Sequence, residues 1–476
     1  MPRLRIRRPI EARLDNGLDA MVVARPSVPR VEVRLTVPAG AAIGSSAAAS
    51  ELLRSGILLG TNELNQEEVS ESIQRLGGSL QVQQDHDRMH ISASSLAEAE
   101  EELYHLIYTI TTQPHFPAEE LETERVKLIE GLRIARATPQ VLAGERLQHL
   151  IYRDHPYGRA EPSDSLIRKT TRQQLQNLHR ATFLPSASQI TVVGDVEPRR
   201  TVARLERAFG QWSGPRRAVR AGPVQPQRMA TVNFIDRPDS VQTVIMVGSS
   251  GPPVGHPDQI PLALASAILG GSFSSRLMAN LREDKGYTYS PHTMSEAHLR
   301  DSLVGAELDV RTEVTAASFV ELAHELGRLA TVEVDREELE ESRNYLAGVR
   351  VIFLQTQAGL ASSLSQVRGH GLDHRYLEGY SDRLQAVTPA ELLRVAARYL
   401  APAKMTTVMV GDASQSLPAL EGVTEIRMKS PRRSPGGGRR PTEPASGGRL
   451  GGDGVHPYPA RAARPGFRSR RPPRAG

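Results

Sequence analysis

The spacing of apolar residues along the chain changes between a period of two and a helical period. Val31 to Val37 alternates apolar and polar residues, as a half-buried strand does. Ser46 to Leu59 and Asn65 to Leu76 carry apolar residues at helical spacing. Two alternating segments, Ser79 to Gln84 and Met89 to Ala93, predict a hairpin, and three long helical patterns follow it. This mixture of hairpins and helix blocks predicts an α+β fold rather than an alternating β-α-β one.

The second part of the chain repeats this order of elements. Matching letters recur at almost one spacing: Val193-Gly194-Asp195 with Val410-Gly411-Asp412, Thr171 with Thr388, Pro185 with Pro402, and Glu119-Glu120-Leu121 with Glu337-Glu338-Leu339. Such an internal duplication predicts two similar halves. We therefore predict an N-terminal half over 1–212, a linker over 213–227, a C-terminal half over 228–430 and a tail over 431–476.

Composition limits the function classes. The 476 residues contain no cysteine, which excludes disulfides, thiol catalysis and thiolate metal sites. The net charge of +5 arises in the tail, where 11 arginines face two acidic residues, so the rest of the chain is mildly acidic. Ten glycines and nine prolines in this tail predict disorder, and its arginines predict at most weak contact with nucleic acid. Because no secretory signal or membrane span is visible, we expect a cytoplasmic protein with no membrane partner.

The segment Gly270 to Ser290 concentrates residues that are suited to binding a ligand. A Gly-Gly turn and a serine cluster precede a predicted helix from about Ser275 to Arg282, and a strand is predicted to start at Tyr287. Arg282 and Tyr289 then lie on either side of a tight turn and can converge. A guanidinium and a phenol can together hold peptide carbonyls. Taken alone, the segment is better explained as a helix–turn–strand junction with a solvated arginine.

Several motifs together carry a family resemblance. They are the duplicated halves, an Asn-Gly turn near the start, HPYG in the first half and SSRLMANLREDKGYTYS in the second. Over Arg13 to Asp412 the chain resembles the pitrilysin/insulinase family of zinc metallopeptidases, in particular the subgroup containing mitochondrial processing peptidase. The resemblance implies two metallopeptidase-like halves, each a mostly antiparallel sheet with helices packed on it. It also implies a zinc site in the first half, built from an inverted H-x-x-E-H motif and a later glutamate.

The zinc motif is missing at the positions that the resemblance assigns to it. Those positions are Glu51, Arg54, Ser55 and, further along, Gly131, so both histidine ligands and the general base are replaced. One carboxylate, a hydroxyl and a glycine cannot supply three zinc ligands, and Arg54 cannot accept a proton from water. Glu130 is one residue before the ligand position, and on a helix its side chain points about 100° away from that of residue 131. We therefore predict that this chain holds no zinc and no other cofactor.

Two other histidine pairs have the spacing of metal ligands. His86 and His90 are four residues apart, but they lie in the predicted hairpin, where that separation is about 13 Å. His370 and His374 imitate an H-x-x-D-H motif, with a helix-weakening glycine between them. Neither pair predicts a metal site.

The second half keeps the residues that the resemblance assigns to the substrate. An arginine and a tyrosine seven residues apart face the zinc in this family and hold the peptide backbone, and they correspond to Arg282 and Tyr289. We predict catalytic and substrate-binding roles for this pair and a substrate-binding role for Ser275. The chain would be inactive alone and would form a heterodimer with a homologous, zinc-bearing peptidase subunit.

Three alternatives remain open at this point. The chain could be a structural or assembly subunit derived from the same family, without a role in peptide cleavage, although such a subunit does not need Arg282 and Tyr289. It could be a self-sufficient hydrolase with displaced chemistry, against which the absence of cysteine and of a GxSxG motif argues. It could also bind nucleic acid through the tail, and deletion of 431–476 would test that function.

Overall fold

The computed structural model describes residues 5–44, 46–159, 162–214, 221–225 and 230–429. Its strands are β1 Ile10–Arg13, β2 Asp19–Ala24, β3 Arg30–Val37, β4 Ser79–Gln84, β5 Met89–Leu96, β6 Gln189–Gly194, β7 Val232–Asp236, β8 Gln242–Gly251, β9 His292–Ala297, β10 Ser302–Arg311, β11 Thr406–Gly411 and β12 Ile426–Lys429. Its α-helices are α1 Ala47–Gly56, α2 Gln66–Arg75, α3 Glu100–Thr112, α4 Ala118–Arg136, α5 Pro139–Tyr152, α6 Asp164–Lys169, α7 Arg172–Thr182, α8 Pro198–Phe209, α9 Gln259–Ser266, α10 Thr315–Thr331, α11 Arg336–Leu354, α12 Gln357–Gly369, α13 Arg375–Glu378, α14 Tyr380–Ala386, α15 Pro389–Tyr399 and α16 Ala413–Leu420. The predicted tail and part of the predicted linker lie outside the described residues.

The strands form two six-stranded sheets of matching order. The first sheet runs β1-β2-β6-β3-β5-β4 and the second β12-β7-β11-β8-β10-β9. The two sheets share a parallel pair, β2 with β6 or β7 with β11, followed by antiparallel pairs. They differ at one edge, because β1 pairs antiparallel with β2 whereas β12 pairs parallel with β7. Capping boxes at Thr171 and Thr388 begin the equivalent helices α7 and α15. The predicted α+β class and the duplicated halves are therefore confirmed.

Each half contributes one helix to the sheet of the other half. The first half's α5 packs on β8 and β11, where Leu147 joins a buried cluster with Met246. The second half's α12 packs on β3 and β6, where Leu364 clusters with Met21. Burying a side chain of this size stabilises the fold by about 1.5–3 kcal/mol. The two halves therefore share apolar cores.

One difference from the predicted elements follows Gly286. Residues Tyr287 to Tyr289 do not begin a strand, because β9 starts only at His292 and Thr288 makes a single bridge to Val310. The helix before this turn is π-helical over Met278–Asp284. Within the described part of the chain, no helix combines the length and apolar character needed to cross a bilayer.

Candidate functional site

The turn after the π-helical segment fixes the direction of Arg282 and Tyr289. Gly286 has φ +61°, and its N–H donates to the Arg282 carbonyl at 3.2 Å. The N–H of Tyr287 donates to the Leu281 carbonyl at 2.8 Å. The first bond is that of an αL C-cap, which needs a residue with a left-handed backbone, and glycine adopts that backbone without strain. The second spans six residues and closes the π-helical segment. The turn therefore reverses the chain within a few residues and brings Tyr289 back beside Arg282.

The Arg282 guanidinium lies between two aromatic rings. Its Cζ is 4.7 Å from the centroid of Tyr289 and 5.0 Å from that of Phe273. Both rings are exposed, Tyr289 at 79% and Phe273 at 69%, while the arginine side chain is 28% exposed. Large exposed aromatics are unusual unless they contact a partner or ligand. The structure therefore brings the two predicted residues together and adds Phe273, which the sequence analysis did not identify.

Buried polar contacts hold this segment against the neighbouring helices. Arg276 donates twice to Glu338 on α11, at 2.7 and 2.6 Å. Burial would lower the pKa of Arg276, but the hydrogen bond and charge of Glu338 outweigh it and raise this pKa. Asn280 donates to Glu325 on α10 at 2.8 Å. These contacts fix the position of the helical segment that carries the half-buried Arg282.

Ser275 lies beneath this surface. Its side chain is 2% exposed, and its hydroxyl has no hydrogen-bond partner among the described residues. Its backbone carbonyl accepts from the Ala279 N–H at 2.9 Å and so takes part in the helix start. A direct contact of the Ser275 hydroxyl with a peptide would require this segment to move.

The positions of the expected zinc motif lie on α1 and hold an internal ion pair. Arg54 donates from Nε and Nη2 to Glu51 Oε2, at 3.0 and 2.9 Å. The Ser55 hydroxyl lies 3.4 Å from the Glu51 carbonyl, one turn earlier. The one carboxylate at this place is thus occupied by a permanent cation, which would also repel a metal dication.

The later ligand position adds no donor atom. Gly131 lies in α4, which packs against α1, and a Cβ built on it would meet no atom within 4 Å. Glu124 pairs with Lys127 at 3.8 Å, and Glu130 pairs with Arg133 at 2.8 Å. The residues of α1 and α4 therefore do not fit a zinc ion.

The structure does not support a metal site at either His86 with His90 or His370 with His374. His90 Nε2 lies 2.8 Å from Asp85, and its Nδ1 lies 3.2 Å from the Thr36 hydroxyl. His370 follows the end of α12, whereas His374 precedes α13, so the two do not share a helix face. Burial lowers the pKa of His370 to about 4.

A third group, which the sequence analysis missed, lies where the halves meet. Among the described residues, His86, Glu296 and His298 alone bring three metal-capable side chains together, with their ligand atoms within 4.8 Å of one another. His86 belongs to the turn between β4 and β5, and the other two to the end of β9 and its following turn. The available signal was Glu296-Ala297-His298, two potential ligands with strand spacing at a hairpin tip.

The surroundings of this group are polar and buried. His298 is 1% exposed, and its Nδ1 lies 2.9 Å from Asp301. Burial would lower the pKa of His298, but its contacts with Asp301 and Glu296 outweigh this and raise the pKa to about 9. Burial would raise the pKa of Glu296, but the contacts with His298 and His86 hold it far below its usual range.

A second pair of contacts joins the same hairpin tips. The Tyr157 hydroxyl donates to Asp87, 2.7 Å from Oδ1 and 2.9 Å from Oδ2, and the Leu299 N–H donates to Oδ2 at 2.8 Å. Burial, together with the charge of Asp87, raises the pKa of Tyr157 well above its usual value. We call residues 85–88, 296–301 and Tyr157 the junction.

Two family models match the chain. The model described as Insulinase (Peptidase family M16) matches residues 20–161, and the model described as Peptidase M16 inactive domain matches residues 169–346. The first matched range contains α1 and α4, and the second contains Arg282 and Tyr289.

Similar proteins and structures extend this match. An uncharacterized zinc protease of Mycobacterium tuberculosis is 24% identical over 427 residues, covering 86% of this chain and 95% of that protein. An uncharacterized zinc protease of Bacillus subtilis is 22% identical over 348 residues, covering 72% and 83%. A crystal structure of a peptidase M16 inactive domain from Pseudomonas fluorescens superposes with a TM-score of 0.81 at 22% identity, covering 85% of this chain and 98% of that one. A protease from Helicobacter pylori gives 0.79 at 18% identity, covering 86% and 100%. These two structures share the fold of this chain.

Proposed function

This chain belongs to the insulinase (peptidase M16) family, and we propose that it is the non-catalytic subunit of a heterodimeric zinc peptidase. The arrangement would resemble that of mitochondrial processing peptidase, with a homologous partner subunit carrying the zinc. This chain would bind the peptide substrate and place Arg282 and Tyr289 beside the partner's site. Alone it would not cleave peptides.

One observation carries the proposal: Arg282 and Tyr289 lie together at the surface, while an ion pair fills the metal positions. Arg282 stands at the surface between Tyr289 and Phe273. Glu51 and Arg54, by contrast, bind each other. Several similar proteins are called zinc proteases, which supports peptide hydrolysis as the reaction that this chain assists.

The stacked arrangement suits Arg282 to its proposed task. Cation–π contacts contribute about 0.5–1 kcal/mol each at exposed sites, and they limit the rotamers of the arginine before the substrate arrives. The Arg282 Nε lies 3.3 Å from Glu283 Oε1, so the proposed donors to a peptide carbonyl are the two Nη groups. Such a hydrogen bond contributes about 1.5–3 kcal/mol. If the donor follows charge that develops in the transition state, its removal lowers the rate by about 10²–10³.

Reconstitution with a zinc-bearing relative tests the proposal. We expect the two purified chains to copurify and to cleave a fluorogenic peptide library that neither cleaves alone. The double variant Arg282→Ala and Tyr289→Phe in this chain should then lower kcat/KM by about 10²-fold or more. Its circular dichroism should remain that of the wild type, because both side chains are partly or largely exposed.

The matched control changes an arginine and a tyrosine elsewhere in the same half. Arg311 is 57% exposed and Tyr345 is 44% exposed, and neither belongs to the predicted site. Arg311→Ala with Tyr345→Phe should leave kcat/KM within about twofold. Unchanged cleavage after loss of Arg282 and Tyr289 would count against a substrate-binding role for this pair.

A structural or assembly subunit is the second candidate, and one surface favours it. The last turns of α11 expose Val349 at 49%, Ile352 at 69% and Phe353 at 49%. An exposed apolar stripe of this kind suits a protein interface, and such an interface does not require any role in peptide cleavage. Copurification that depends on this stripe, together with cleavage that does not depend on Arg282, would favour the structural role.

A further inference from the structure

The group at the junction draws its atoms from both halves of the chain. His86 Nδ1 lies 3.0 Å from Glu296 Oε1, and His298 Nε2 lies 3.3 Å from the same oxygen. One carboxylate oxygen thus lies between two imidazole nitrogens. The first half supplies His86, and the second half supplies Glu296 and His298. This set is separate from the α1 and α4 positions discussed above.

The most informative atom is the buried nitrogen of His298. His298 is 1% exposed, and its Nε2 has no hydrogen-bond partner of acceptable geometry among the described residues, although Glu296 is within ion-pair distance. If a metal ion takes the place of the Nε2 proton, this nitrogen can bind the ion together with His86 Nδ1 and Glu296 Oε1.

The other nitrogen of the ring is held in the way typical of a metal ligand. His298 Nδ1 lies 2.9 Å from Asp301 Oδ1, so an Nδ1–H donated to this carboxylate leaves Nε2 free to bind a metal. Carboxylate–histidine–metal arrangements orient the ring and increase its basicity. The second oxygen of Glu296 also has a partner, since Gln148 on α5 donates to Oε2 at 3.1 Å.

The distances agree with a tetrahedral site. Ligand bonds of about 2.0–2.1 Å place neighbouring tetrahedral ligand atoms about 3.4 Å apart. The two contacts with Glu296 Oε1 measure 3.0 and 3.3 Å, and all three ligand atoms lie within 4.8 Å of one another. We propose that His86, Glu296 and His298 bind one divalent transition-metal ion, with Zn²⁺ as the preferred occupant, and that this ion joins the two halves.

The proposal goes beyond the proposed function, which needs no metal in this chain. Two imidazoles and one carboxylate are a ligand set that suits Zn²⁺ better than Mg²⁺ or Ca²⁺, whose ligands are oxygens. Glu296 is 41% exposed, so water can complete the coordination from that side. Because the ligands come from two hairpin tips, metal binding should resist separation of the halves.

Metal binding by the full chain tests the site directly. Protein stripped with a chelator should take up about one equivalent of Zn²⁺ in calorimetric titration, and Co²⁺ should give the intense visible absorption of tetrahedral coordination. His86→Ala and Glu296→Gln should each weaken Zn²⁺ binding by at least about 100-fold. Asp301→Asn should weaken it by about 10–100-fold, because it changes the orienting carboxylate.

His90→Ala is the matched control, since His90 lies on the same hairpin and has its own carboxylate partner, Asp85. It should bind Zn²⁺ within about threefold of the wild type, as should Glu51→Ala on α1. Zinc should raise the Tm of the wild type and of His90→Ala, but not that of His86→Ala. His298 is deeply buried, and a variant of it could fail to fold. The variants of His86 and Glu296, which are less buried, therefore decide the test.

Two results would overturn the site. One is the absence of saturable binding at about 100 μM Zn²⁺ in folded wild-type protein, which would leave the three side chains as an ion-pair network only. The other is binding that His86→Ala and Glu296→Gln retain, or that Glu51→Ala abolishes. The reconstituted peptidase assay is independent, because Arg282 and Tyr289 are not ligands of this ion.

Discussion

Asp87 is the carboxylate through which the first hairpin tip holds the second, and its replacement by alanine should destabilise the whole fold. The residue is 5% exposed and accepts from two donors. One is the hydroxyl of Tyr157, a fully buried side chain, at 2.7 Å. The other is the Leu299 N–H from the opposite half, at 2.8 Å. Asp87→Ala leaves both donors without their acceptor.

The size of the effect follows from these two hydrogen bonds. A hydrogen bond to a charged group contributes about 1.5–3 kcal/mol, so loss of both should lower the free energy of unfolding by about 3–6 kcal/mol. Tyr157→Phe removes one donor and should cost about half as much. Because the two changes delete a shared hydrogen bond, the double variant should be less destabilised than the sum of the single ones, by about 1 kcal/mol or more.

Urea unfolding followed by circular dichroism, with a chelator present throughout, measures these values without any contribution from bound metal. Asp15→Ala serves as the control, since Asp15 is an exposed turn residue and its change should stay within about 0.5 kcal/mol. A loss below about 1 kcal/mol for Asp87→Ala would refute the reasoning. Strict additivity of Asp87→Ala and Tyr157→Phe would refute it as well.

Two further predictions concern stability. A Cβ at Gly131 or Gly286 meets no atom within 4 Å, so the two positions differ only in backbone conformation. Gly131→Ala within α4 should stabilise the protein by up to about 1 kcal/mol. Gly286→Ala, at φ +61°, should destabilise it by about 1–2 kcal/mol. Thermal unfolding compares the two, and equal shifts would contradict this explanation. Burial lowers the pKa of His179 to about 4, against about 6.5 in the unfolded chain. Between pH 4 and pH 6.5 the unfolded state therefore binds more protons at this residue than the folded state. The contribution of His179 to the free energy of unfolding is fully present above pH 6.5 and falls by about 1.4 kcal/mol per pH unit toward pH 4. His179→Gln can still donate to the Thr111 carbonyl, the acceptor 2.8 Å from His179 Nε2, and should lose less stability than the wild type between pH 7 and pH 5 in urea unfolding. The same loss in both proteins would refute this assignment.

The sequence predicted the elements whose signals are local. The period-two pattern of Val31 to Val37 became β3, and the helix after Asn65 begins with the capping box that its spacing with Glu68 allows. The helix α12 was not predicted, because eight of its residues are buried, including Ser363 and Ser365, and it has no polar face to reveal a helical period. A helix enclosed between two halves cannot be recognised by amphipathic spacing.

The candidate site was predictable to the same extent. Arg282 and Tyr289 are close in sequence, and the glycine between them signals the turn that joins them. Phe273 was missed because its contact with Arg282 depends on π-helical turns that leave no clear pattern in the letters. His86 and His298 were missed as a pair because their proximity results from the packing of two distant hairpins, and spacing along the chain does not contain that information.

The junction explains why a first half that lacks the family's zinc motif is still needed for the proposed role of the second. The first half supplies α5 to the second sheet and receives α12 in return. It also supplies Asp87, which accepts the Leu299 N–H at the tip of the β9–β10 hairpin. That hairpin follows Tyr289 directly, and Thr288 bridges to Val310 on β10. A disturbance of the junction therefore reaches the turn that carries Arg282 and Tyr289 through a single hairpin. Variants at Asp87 should consequently lower peptide cleavage in the reconstituted complex even where the purified chain remains folded.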